Sequence, residues 1–266
     1  MKSLRSAVVL GAGLAVLGLV AGCGNSAKST APGAQIDQST ADDFAIQAVA
    51  ALDVVGSDLD GAMGGAAAAP ATSPRVRFSR AMWDTSWTAS NGLTFSASAT
   101  FFDENDHELP AWSAAARRLH RTSTASGTIT GERDTATVGH SAVFDLRGIE
   151  SGQDTLRIDG GALDTLLNRF HSLDGLRNRY FYWRSSVRID SVRALKSTAP
   201  DHAPPISGTI TLVVSADRLR SNNRGDVEAH FEATVVVVFG PNGAEVLVNS
   251  GYRYHWNPRT GAVTRA

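Results

Sequence analysis

The chain has 266 residues, of which 42% are hydrophobic, 19% charged and 7% aromatic, with 25 basic against 26 acidic side chains. That length supports one sizeable core or two small domains. The balanced charge leaves no basic footprint for nucleic acid, and a single cysteine excludes an internal disulfide framework or a multi-thiolate metal site.

Met1 to Ser6 is a short positive head carrying Lys2 and Arg5, and Ala7 to Gly22 then runs without a charge. A membrane-spanning helix needs roughly twenty apolar residues. This run is shorter and ends in small residues, so residues 1–22 read as a signal peptide. Leu19-Val20-Ala21-Gly22-Cys23 resembles the lipobox of bacterial lipoproteins with a type II signal peptide. The resemblance implies cleavage before Cys23, lipidation of its thiol and acylation of the new amine, so that Cys23 is the lipidation site and the membrane the partner. Several acyl chains anchor stably where one is marginal. In Gram-negative lipoproteins an Asp after the cysteine favours inner-membrane retention. Gly24 in that place implies the periplasmic side of the outer membrane, if the organism has one.

Residues 23–40 are expected to be a lipidated flexible tether of Gly, Ser, Ala, Thr and Pro. Residues 41–60 read as an amphipathic helix, because Phe44, Ala48, Leu52 and Val55 recur at three-to-four spacing behind Asp42 and Asp43. Residues 61–74 read as a Gly/Ala/Pro linker. Residues 75–266 are expected to form an antiparallel β domain that folds without residues 24–40.

Alternation carries the β assignment. Leu93, Phe95, Ala97, Ala99 and Phe101 share one face; so do Ile210, Leu212 and Val214, and Tyr252, Tyr254 and Trp256. Val235–Phe239 is apolar throughout and reads as a strand covered on both sides. Leu163–Phe170 is the one later stretch with helical spacing. In Arg179–Arg184, alternation puts Phe181 and Trp183 in the core and Tyr180, Tyr182 and Arg184 on the surface. Trp83, Trp87 and Trp112 read as core or sheet-edge packing.

Two echoes suggest internal duplication. Ser126–Thr130 recurs as Ser207–Thr211, and 101–109 resembles 238–246 as strand, tight turn and strand. The fold expected is mainly β: a large antiparallel meander sheet, curved or half-barrel-like, with one N-terminal helix. The Ser-Gly-Thr-Ile-Thr strand, the Gly240-Pro241-Asn242-Gly243 hairpin and the closing Tyr-x-Tyr strand together resemble uncharacterised β-rich lipoproteins of bacterial envelopes, which implies no particular activity.

Motifs that carry chemistry are few. The acidic run from Asp103 to Glu108 fails the EF-hand pattern and reads as a solvated hairpin turn. The seven histidines form no metal motif. Gly139-His140-Ser141 lacks a nucleophile elbow, and no P-loop or dinucleotide fingerprint occurs. The expectation is therefore a non-enzymatic, lipid-anchored envelope protein with a binding or structural role and no catalytic residues, metal or cofactor. The alternative is a hydrophobic-ligand or lipoprotein carrier with a half-barrel sheet. An envelope hydrolase with carboxylates from distant strands comes third.

Overall fold

The computed structural model describes residues 34–67, 77–79, 82–88, 92–130, 134–150, 152–171, 178–195, 205–219 and 227–266. The leader, Cys23 and most of the tether lie outside these residues.

Among the described residues, one helix, α1 (Gln38–Ala67), precedes thirteen strands in a single antiparallel sheet. They are β1 (Arg77–Ser79), β2 (Met82–Thr88), β3 (Thr94–Phe102), β4 (Glu108–Leu109), β5 (Arg118–Thr130), β6 (Asp134–Arg147) and β7 (Thr155–His171), followed by β8 (Asn178–Leu195), β9 (Pro205–Leu219), β10 (Val227–Gly240), β11 (Gly243–Val248), β12 (Tyr252–Trp256) and β13 (Val263–Arg265). Each strand pairs with its sequence neighbours, except that β4 pairs only with β3 and β5 takes the next place in the sheet. The path runs from β1 to β13 without closing. This is the expected meander.

Alternation decides which face is buried. In β3, Phe95, Ala97, Ala99 and Phe101 point inward while Thr94, Ser96, Ser98 and Thr100 point outward. Phe181 and Trp183 are fully buried, and Tyr182 faces out. The 240–243 segment is a two-residue hairpin, with Gly240 directly opposite Gly243.

The sheet curls around the helix. Every residue of α1 from Thr40 to Ala48 is buried, whereas a helix lying on a flat sheet would expose one face. Phe44 packs on Phe181, Trp183 and Phe231 with ring centroids 5.1–6.4 Å apart. Bulges help the long strands bend. β7 shifts register between Ile158 and Gly160, and β8 shifts between Asp190 and Arg193. At Gly160 (φ 143°), a Cβ would lie 2.2 Å from the Val143 carbonyl oxygen, so only glycine fits. Beside it, Ser191 (φ 51°) donates its backbone N–H to Asp159 at 2.8 Å, tying the two bulges together.

Several expectations need correction. The helix runs from 38 to 67, not 41 to 60. Asp37 is its N-cap: its carboxylate accepts the Thr40 N–H at 2.8 Å, and its carbonyl accepts the Ala41 N–H. The end of the tether is therefore part of the fold, and residues 61–67 of the expected linker are helical; residues 68–74 lie outside the described residues. The helix is also buried well beyond one stripe, with Asp53 exposed on an otherwise covered stretch.

Leu163–Phe170 is not helical but belongs to β7. Its helix-like spacing arises because Leu163 and Leu167 face outward while the polar Asp164 and Asn168 face inward. Val235–Phe239 is covered on one side only, with Val238 40% exposed. Trp112 is exposed in the loop between β4 and β5, and the Trp83 and Trp87 side chains lie outside the described residues.

Candidate functional site

The chemistry-bearing side chains gather where α1 meets the inner face of the sheet. Asp58, near the helix's C-terminal half, projects onto β5 and β6. Its carboxylate accepts from Arg121 Nη2 at 2.6 Å, from the Ser123 hydroxyl and from His140 Nε2 at 3.0 Å. Arg121 Nη1 also donates to the Asp58 carbonyl at 2.6 Å, gripping the helix backbone. The other ring nitrogen of His140, Nδ1, lies 2.5 Å from Asp164 on β7.

Each sheet member occupies an inward position by strand parity: Arg121 and Ser123 follow Leu119, His140 follows Val138, and Asp164 follows Ala162. None of these five side chains has meaningful access to solvent.

Electrostatics sets the charge states. Burial alone would push His140 down; hydrogen bonds and charge from Asp164 and Asp58 outweigh it and raise the ring to about 9. Both ring nitrogens then donate, each to a carboxylate. Burial likewise lowers Arg121, opposed by Asp58, yet the guanidinium stays charged. Burial pushes the Asp164 carboxyl up, opposed by the hydrogen bond and charge of His140.

Further polar ties run along the helix. Asn168 Nδ2 donates to Gln47 Oε1 at 2.9 Å. Asp42 accepts from the Tyr254 hydroxyl at 2.9 Å and pairs with Arg265. Arg179 Nε lies 3.5 Å from Asp43. Burial pushes the Asp43 carboxyl up to about 7, against the pull of Arg179 and Arg218. From Asp42 to Asp58, the helix is thereby fixed to strands spread across most of the sheet.

This constellation fastens; it is not built to react. Ser123 donates its hydroxyl proton to the Asp58 carboxylate rather than to the imidazole, so no activated nucleophile is assembled. Both imidazole nitrogens are committed, which leaves no lone pair for a metal. Among the described residues, no group of His, Cys, Asp or Glu is arranged to hold one.

The acidic run at 103–108 is the turn before β4. Asp103 accepts the N–H groups of Asn105 and His107 at 2.8 and 2.9 Å, and Asp106 pairs with Arg118. On the outer face, an open groove of about 640 Å³ runs past Leu163, Arg184, Val213, Glu232 and Asn249. Arg184 is held there by Asp217 at 3.1 Å.

Cys23, the single site residue expected from the sequence, lies outside the described residues. No sequence motif marks the buried cluster. Its signal was present nonetheless, as polar residues on the inward parity of apolar strands.

No protein-family model matches the chain, and neither a curated protein nor a solved structure matches it.

Proposed function

We propose that this chain is a lipid-anchored protein of the bacterial cell envelope, held to its membrane through Cys23, and that its body acts by binding or structural association rather than by catalysis. The observation that carries the second half is the filled interior. Phe44 and the residues around it occupy the concave side of the sheet, where a carrier would keep an open apolar trough for its cargo. The buried ion pairs of Asp58 with Arg121 and His140 favour the same reading, because cargo that displaced α1 would leave charges unpaired in an apolar interior. The anchoring half rests on the lipobox ending at Cys23. The periplasmic side of an outer membrane is the location that Gly24 favours.

Intact mass of the membrane-extracted protein tests the anchor. Loss of residues 1–22 together with added acyl mass is expected, and a free thiol at Cys23 rejects it. Native mass spectrometry of the body tests the binding mode: a stoichiometric lipid inside it would favour the carrier instead.

A further inference from the structure

Four arginines stand in one row across the outer face of the sheet. Arg118 on β5 is directly opposite Arg147 on β6, Arg147 is opposite Arg157 on β7, and Arg157 is opposite Arg193 on β8. All four point outward, since Leu119, Leu146, Leu156, Val192 and Ala194 beside them are buried. Like charges directly opposite one another destabilise a sheet, so packing gives no reason for this row.

The next row inward supplies acids, but only some of the arginines use them. Asp145 pairs with Arg118 at 2.8 Å and Asp159 with Arg157 at 2.8 Å. Asp106 is also taken by Arg118. Arg147 and Arg193 are exposed, and among the described residues neither has an ion pair or a hydrogen-bond partner.

We propose that Arg147 and Arg193, set on either side of Arg157, form a binding site for a phosphate-bearing anion. Their strands are two places apart, about 9.5 Å at the usual strand spacing of ~4.8 Å, so two long side chains can close on one group above Arg157. Each guanidinium offers a planar fork of donors, suited to the several oxygens and multiple charge of a phosphate. A single carboxylate would satisfy one fork and leave the other idle. The phosphate could belong to a soluble ester or to a lipid headgroup; the chemistry at the arginines is the same. The site goes beyond the anchoring role and does not depend on it.

The test uses the full-length chain bearing Cys23→Ser, which removes the proposed lipidation site from every comparison. Titration calorimetry with pyrophosphate should show saturable binding that weakens with salt, and Arg147→Ser with Arg193→Ser should weaken it tenfold or more. Arg253→Ser, at a distant surface pair, should leave it unchanged. The double variant should melt at or above the parent's temperature, because repulsion within the row is relieved. If it fails to fold, the single variants decide, each losing affinity several-fold. Flotation with phosphatidylcholine vesicles, with and without phosphatidylglycerol, separates the sources: arginine-dependent binding to the anionic vesicles assigns a headgroup, and pyrophosphate binding without vesicle binding assigns a soluble ester. Absence of both kinds of binding overturns the site. So does tighter, equally arginine-dependent binding of a DNA duplex, which would make the row a nucleic-acid contact.

Discussion

Asp58 accepts from three side chains on two strands and shares His140 with Asp164, so its removal leaves Arg121 buried without its counter-charge. Stranding a buried charge costs roughly 3–5 kcal/mol. Asp58→Asn should therefore lower unfolding free energy by an amount of that order in urea. A double-mutant cycle with Arg121→Met should return a coupling above ~1 kcal/mol, and strict additivity would show that the two do not act as a pair. The same cluster sets a pH dependence. His140 titrates near 9 when folded against an ordinary 6.5, so its contribution is complete below 6.5 and is lost as pH rises through about 9. Asp43, raised to about 7 from 3.8, works in the same direction: the folded chain holds that proton more tightly, and stability declines as pH climbs from 3.8 through 7. Melting temperature should fall between pH 6 and 9.5, and His140→Gln should flatten the upper part of that decline. A melting temperature that rose across this window would contradict the charge states assigned here.

At the scale of elements, the period of two was legible and the boundaries were not. Phe95 is fully buried on β3 and Ser96 faces out. Phe95→Ala should cost roughly 3–5 kcal/mol, and Ser96→Ala ~0.5 kcal/mol or less, in chemical denaturation. Similar losses at both positions would be incompatible with the strand. Gly160→Ala should also destabilise, because its Cβ would meet the Val143 carbonyl. The two misread segments have one cause. Leu163–Phe170 and Val235–Phe239 place apolar residues on the outer face, so hydrophobicity there no longer reports direction. The helix start was displaced for a different reason. Asp42 and Asp43 look like first-turn acids, but both are buried partners of strand residues, and the cap is Asp37. Asp37→Ala should cost about 1 kcal/mol.

For the whole molecule, the residues just before the helix matter more than their composition suggests. The Ala34 N–H donates to the His230 carbonyl, and the Tyr252 hydroxyl donates to the Ile36 carbonyl, so this segment closes over β10 and β12. A chain beginning at residue 34 should keep the parent's melting temperature. One beginning at Ala41 loses those bonds and the cap and should melt several degrees lower. Equal melting of the two would show that residues 34–40 contribute nothing to the fold.

The sequence alone carried the meander, the inward face of most strands and the helix, because local alternation and neighbour pairing need only short-range information. It also carried the lipobox reading, which depends on five adjacent residues. Only the tertiary structure decided what fills the curved sheet and which polar groups meet inside it. Asp58 finds Arg121, Ser123 and His140 across 63, 65 and 82 residues, and the arginine row needs the exact register of four strands. Such meetings are set by how the sheet coils around its helix. A twist that depends on bulges and packing has no short sequence signature, so a buried arginine and a surface one look alike until the strands are paired.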